Sequence, residues 1–213
     1  MKKLITACLL TVLPGIVFAT AQVGEILVYK GSTNEIYTTP LESFFSEETP
    51  RPDFPMPNTA CWRGYIGVWQ IESNTLYLAS LHEVDTDRAN WLGNKIPLDK
   101  IFPQQKLPIP ASWFSGILVL PHGELVNYVH MGFGSTYSNY TLFEVNKGQA
   151  GKVKELTTEQ YDEFRDRQFS AFKKTEEYKK LIEKMNQDGY APEGHDDFLR
   201  NFITQYTSKF LVE

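Results

Sequence analysis

Apolar and polar positions are most clearly patterned over residues 62–84. Two runs rich in β-branched and aromatic residues, 62–72 and 75–84, flank the polar pair Ser73-Asn74. This predicts two antiparallel strands joined by a tight turn. Such a turn sets Ile71 opposite Leu76, Trp69 opposite Leu78, Gly67 opposite Ser80, Tyr65 opposite His82 and Arg63 opposite Val84. All ten then share one face, because side chains alternate along a strand. That face is apolar near the turn and collects Gly67, Ser80, Tyr65, His82 and Arg63 at its open end. The other face, with Gln70, Tyr77, Val68, Ala79, Ile66 and Leu81, is also largely apolar. A sheet apolar on both sides must be covered on both sides or closed on itself, so this hairpin is expected near the centre.

The rest of the chain supplies further elements around it. Residues 25–30 and 35–38 predict a first hairpin around Gly31-Ser32-Thr33-Asn34. A short helix is expected from Pro40, followed by an extended loop holding Pro50, Pro52, Pro55 and Pro57. Residues 85–110 read as irregular, with a one-turn helix near 98–102; their Trp91, Leu92, Ile96 and Phe102 suit either a functional loop or a packed flap. A third hairpin is expected from 113–120 and 125–131, turning at His122-Gly123, with Ser115 opposite His130 and Ile117 opposite Tyr128. Gly132-Phe133-Gly134 predicts a bend, and residues 136–145 and 152–156 two more strands around Asn146-Lys147-Gly148.

The period changes at Thr157, which forms a capping-box pair with Gln160. A helical stripe follows through Tyr161, Phe164, Phe172, Tyr178, Ile182 and Met185, with a break near Lys174-Thr175 and an end at Gly189. A final helix is expected over 196–211, whose large apolar side chains call for docking on the sheet or on a partner, the sheet being the favoured account. The fold class is therefore α+β: a mainly antiparallel β-sheet or partly closed barrel built from hairpins, followed by C-terminal α-helices. The expected division is 1–21 signal peptide, 22–156 β portion, and 157–213 helical portion packed on the same domain.

Composition adds a location. Lys2 and Lys3 precede an apolar run over residues 4–18 and the small-x-small signal Ala19-Thr20-Ala21. Export with cleavage after Ala21 is predicted, to the periplasm or outside the cell, with no stable membrane insertion afterwards. The mature chain then holds 19 basic and 26 acidic residues, a net −7. A chain so acidic and without a basic stripe argues against nucleic acid as a partner. Cleavage leaves Cys61 as the one cysteine, read as a buried small hydrophobe rather than a reactive thiol. No metal-ligand spacing and no cofactor fingerprint appears, so neither a metal nor a cofactor is expected.

Arg63-Gly64-Tyr65 with Trp69, and Trp113-Phe114-Ser115-Gly116 with Tyr128-Val129-His130-Met131-Gly132, resemble an uncharacterised bacterial exported-protein family. The resemblance covers roughly the β portion. It implies a bacterial origin and adds no activity.

Candidate chemistry rests on a few residues. Tyr65, His82 and His130 have the functional groups of general acids and bases, and Arg63 that of an oxyanion or carboxylate binder. The favoured reading makes Arg63 one half of a buried ion pair with a carboxylate, and each histidine a satisfied structural residue. Ser80 and Ser115 become nucleophile candidates only with a histidine in hydrogen-bond reach; there is no GxSxG elbow. Trp69, Tyr77 and Trp113 are the candidates for lining a ligand cavity. The leading expectation is a binding or interaction module whose partner is a protein or envelope component. The alternatives are a hydrolase with a His/Tyr/Arg site, or a small-ligand carrier with an aromatic cavity.

Overall fold

The computed structural model describes residues 20–87, 89, 91–187 and 195–213. The predicted signal segment lies outside them up to residue 19. Alternating apolar residues build strands β1 (Glu25–Tyr29), β2 (Ser32–Ile36), β3 (Ile66–Glu72) and β4 (Thr75–Val84). Short β5 (Leu92–Ile96) and β6 (Ile109–Pro110) follow, then the long β7 (Gly116–Asn127), β8 (Thr136–Asn146) and β9 (Gln149–Thr157). They form one nine-stranded sheet of order β2-β1-β3-β4-β9-β8-β7, with β5 and β6 on the side of β4. All pairings between these strands are antiparallel except β1 with β3. The sheet curls strongly but does not close into a barrel.

One core lies inside the curl. Leu27, Trp69, Leu76, Leu78 and Leu81 from one half meet Leu118, Leu120, Phe143 and Val145 from the other. Tyr29 crosses the interior, its ring 4.9 Å from that of Phe143. The opposite face of β7 and β8 is covered by helix α1 (Thr158–Phe172), where Ile117, Val119, Tyr140 and Leu142 pack against Tyr161, Phe164 and Phe210. The capping box of Thr157 and Gln160 starts this helix as predicted. Helix α2 (Glu176–Gln187) follows after the expected break at residues 173–175. Both faces of β7 and β8 are thus covered, whereas Val68, Gln70, Tyr77 and Ala79 on the outer face of β3 and β4 are only part-buried.

Several elements differ from the sequence pattern, each for a visible reason. In the first hairpin Lys30 and Gly31 alone make the turn, both at positive φ, so Ser32, Thr33 and Asn34 belong to β2. The third hairpin does not exist: β7 runs straight through Pro121 and His122 and pairs with β8. Gly123, at φ +83°, sits where the register slips between His122 and Leu125 and is a bulge rather than a turn. The chain reverses instead over residues 128–135. The final helix is two short pieces, α3 (His195–Asn201) and α4 (Ile203–Tyr206), separated at Phe202, whose φ and ψ of −114° and 22° leave the helical basin. Its docking on the sheet holds through Phe210, while Leu199 and Ile203 pack on Phe169 and Phe172 of α1.

The central hairpin follows the expected register only part of the way. Ile71 faces Leu76 and Trp69 faces Leu78, but Val68 faces Ser80 and Ile66 faces His82. Ala79 is the extra residue of a β-bulge. Beyond it, Leu81 turns into the core opposite Gly67, while Ser80 and His82 turn out.

Phe210→Ala should lower the unfolding free energy by about 3–5 kcal/mol in denaturant titration, since it removes a buried ring at the junction of sheet and helices. An unchanged midpoint would show that the C-terminal segment is not docked there.

Candidate functional site

Alternation along β1 turns Glu25, Leu27 and Tyr29 inward, and alternation toward and along β3 does the same for Tyr65, Gly67 and Trp69. The parallel pairing of Leu27 with Trp69 then brings Glu25 beside Gly67. Glu25 and Arg63 are both fully buried, with Arg63 Nε 3.2 Å from Glu25 Oε1. The Trp69 indole N–H donates to Glu25 Oε2, and Arg63 Nη2 donates to the Gly24 carbonyl at 3.0 Å. Gly67 is required here: a Cβ would stand 2.5 Å from Glu25 Oε2 and 2.7 Å from Trp69 Nε1.

A second ion pair adjoins the first. Tyr65 donates its hydroxyl to Glu42 Oε1 at 2.7 Å, and Arg51 Nε lies 3.3 Å from the same oxygen. Arg51 Nη2 also donates to the Arg63 carbonyl. The Arg51 guanidinium lies between 5.0 and 5.9 Å from the ring centres of Phe45, Phe54, Trp62 and Tyr65. Burial pushes the Glu25 carboxyl up to about 7, against the pull of Arg63 and of the Trp69 hydrogen bond. Burial, and then the Glu25 and Glu42 carboxylates, raise the Tyr65 hydroxyl well above its usual range, so it stays a donor.

Sequence candidates Arg63, Tyr65 and Trp69 therefore meet, around Glu25 and Glu42. His82 does not join them, because the bulge at Ala79 sends it to the outer face. There the Gly93 carbonyl lies 3.1 Å from His82 Nδ1, and Ser80 Oγ lies 3.0 Å from His82 Nε2. A carbonyl only accepts, so Nδ1 carries a proton, and Nε2, when it carries none, accepts the Ser80 O–H. This is the contact order of an activated serine. His130 is exposed at the loop after β7, edge-on to Tyr128 with ring centres 4.6 Å apart. Ser115 has no histidine partner among the described contacts; it accepts from the Lys147 N–H at 2.9 Å.

The aromatic candidates also separate. Trp69 faces inward, Tyr77 pairs with Pro110 and lies on the opposite face, and Trp113 stacks on Phe102 while donating to the Pro40 carbonyl at 3.1 Å. Strand alternation alone keeps Trp69 and Tyr77 apart. Cys61 is buried, its thiol donating to the Tyr65 carbonyl, and burial raises its pKa, the opposite of what a reactive thiol needs. No group of three or more potential metal ligands occurs among the described residues. No described helix is long and apolar enough to cross a membrane.

The open space lies elsewhere. A groove of about 660 Å³ runs past Gln22, Thr33, Glu35, Leu125, Tyr128 and Tyr137. A second, of about 450 Å³, runs past Thr59, Trp62, Met131, Phe133, Phe198 and Phe202. They adjoin, since Thr20, Gln22 and Gly132 line both. The N-terminal segment is fixed between them by the bridge of Ala21 to Gly132 and by the Gln22 N–H donating to the Gly132 carbonyl at 2.8 Å. The grooves hold residues that the sequence pattern did not single out. Leu125 and Tyr128 sat in a strand of the expected third hairpin, and Trp62 at the start of the central one. Glu25 was legible in principle as the inward member of an alternating strand. No family model, curated protein or solved structure matches the chain.

Arg63→Met should cost about 3–5 kcal/mol, because it leaves the Glu25 carboxylate buried and unpaired. Removing the cation raises the Glu25 pKa further, so the loss should be larger at pH 8 than at pH 5.5, where Glu25 takes up a proton. In the wild type the folded chain already holds this proton up to about 7 against 4.5 for the free side chain, so this group's contribution is full below 4.5 and is lost as pH rises through 7. Thermal melts at both pH values test this. Glu25→Leu combined with Arg63→Met should cost less than either change alone.

Proposed function

We propose that the chain is an exported interaction module, acting in the periplasm or outside the cell on a protein or envelope component. The observation that supports this is the clustering of exposed apolar side chains. Trp62, Leu125, Tyr128, Met131 and Phe198, each 42–54% exposed, line the two adjoining grooves. Large apolar side chains gathered on one surface mark a place where water is displaced by a partner. Aromatic residues and methionine are also the types enriched at such contacts. The acidic net charge disfavours nucleic acid and anionic membrane surfaces as that partner.

A photo-crosslinking residue at Tyr128 or Trp62 should capture one discrete envelope protein in growing cells, whereas one at Val153, exposed outside both grooves, should not. The recovered chain should begin at Gln22. Equal capture from all three positions would overturn the interaction reading, and a cytosolic chain retaining Met1 would overturn export.

The Ser80–His82 contact supports a second reading, a serine hydrolase on the outer face of β4. The contact supplies a base and its orienting carbonyl; hydrolysis also requires an oxyanion site and a substrate cleft beside it. On the interaction reading, a fluorophosphonate probe leaves Ser80 unlabelled by intact mass. Labelling at Ser80 that His82→Ala abolishes would transfer the proposal to hydrolysis.

A further inference from the structure

The larger groove is the gap where the sheet fails to close. Tyr37, just past β2, donates its N–H to the Val119 carbonyl of β7 at 2.8 Å. The Thr38 hydroxyl donates to the Ile117 carbonyl and accepts from the Val119 N–H, both at 3.0 Å. The two edge strands therefore run antiparallel and touch at one end. Continued in that register, Glu35 falls opposite Pro121, which has no N–H to give. Two register slips then follow in β7, between His122 and Leu125 and between Leu125 and Asn127, and bulges bend a strand away from its neighbour. From Glu35 to Ser32 the edge of β2 stands open.

That edge carries unused hydrogen-bonding groups. The two-residue turn at Lys30-Gly31 makes Tyr29–Ser32 a hydrogen-bonded pair, so Leu27–Asn34 and Glu25–Ile36 are hydrogen-bonded as well. Thr33 and Glu35 then point their N–H and C=O groups away from β1, the same side on which Tyr37 reaches Val119. No backbone partner for these four groups occurs among the described residues. Thr33, Asn34 and Glu35 all line the groove. Consecutive residues point to opposite faces, so the groove borders the edge of β2 rather than one face of it.

We propose that an extended segment of a partner protein adds as a strand to β2 at Thr33 and Glu35, filling the gap between β2 and the distal half of β7. This rests on the interaction reading and specifies its partner. The charge of the groove selects the occupant: Glu25 is fully buried against Arg63, which leaves Glu35, whose Oε1 also accepts from the Gly24 N–H at 2.7 Å, as the one charged lining residue a partner can meet, and it is an acid. The opposite wall offers Leu125, Tyr128 and Tyr137. The matching segment alternates basic residues, set toward Glu35, with apolar residues set toward that wall. Main-chain hydrogen bonds give such a strand affinity and the flanking side chains give it selectivity.

The test uses a fluorescent decapeptide of alternating lysine and valine, read by anisotropy against the mature chain. Binding should weaken at least tenfold for Thr33→Pro, which deletes an outward N–H on an edge strand and leaves the β1–β2 ladder intact. It should weaken equally for the same peptide with N-methylated valines, and for the glutamate counterpart. Unchanged melting of Thr33→Pro establishes that the fold persists; if that variant unfolds, the N-methylated peptide against wild type decides alone. Failure of the lysine–valine peptide to bind overturns strand addition. So does binding that survives Thr33→Pro and N-methylation but is lost in Leu125→Asp, a result that leaves the interaction reading standing with a side-chain groove. A concentration-dependent dimer in sedimentation, lost in Thr33→Pro, would instead assign the edge to a second copy of the chain and overturn the partner assignment.

Discussion

The buried pair of Glu25 and Arg63 is the constraint on which the surrounding structure depends. An acid and a guanidinium with no solvent contact are expensive to bury, and a partnerless charge is worse. Each neighbouring choice follows from this. Trp69 turns its N–H onto the second carboxylate oxygen, and Gly67 has no side chain because that space is filled by their contact. The Arg63 backbone is held in turn by Arg51, which also meets Glu42. The two pairs thus tie four otherwise independent pieces together: strand β1, the short helix at Pro40–Phe44, the proline-rich loop and the entry to β3. Replacing the pair by apolar residues need not weaken the fold. What the pair supplies is specificity, because any other placement of these loops strands a buried charge.

A second constraint acts at the sheet's edges. The strand order brings β2 and β7 together, and the contacts of Tyr37 and Thr38 show that closure begins. It stops where Pro121 removes a donor, and the bulged half of β7 carries Leu125 and Tyr128 out into solvent. Proline and bulges are the usual devices for keeping an edge strand from pairing indiscriminately. Here they sit on one lip of the gap, while the other lip, β2, is short and polar. The opening is thus built from local backbone chemistry, not from a lack of apolar surface.

Much of this architecture was legible from alternation and punctuation. The Ser73-Asn74 turn, the strands on either side of Lys147-Gly148, the Thr157 capping box and the break at residues 173–175 each carry a local signal that tertiary packing did not override. The failures share a cause. A bulge adds one residue without changing composition, so the alternation of residues 75–84 cannot reveal that Ala79 is unpaired, and every side chain beyond it was assigned to the wrong face. His122-Gly123 has turn chemistry that a bulge also uses. The Arg63 ion pair was readable as a type of contact, but its partner lies 38 positions earlier in the chain, and nothing local connects Glu25 to it.

The interior network and the grooves are not separate features. Glu25 borders the larger groove from below, and the Gly24 carbonyl that receives Arg63 belongs to a residue lining the same groove. Trp62 caps the aromatic cage of Arg51 on one side and lines the smaller groove on the other. Charge lies inside and aromatic surface outside, the reverse of the usual distribution. The consequence is a floor fixed by one fully buried ion pair and one partly buried pair beneath walls of exposed rings. A partner settling on such a floor orders little of the protein that is not already ordered, so less of the contact energy is spent on conformational entropy. For the proposed strand the argument is stronger still. The edge of β2 is held by β1, β1 by Glu25, and Glu25 by Arg63, so the four outward backbone groups are in position before anything binds.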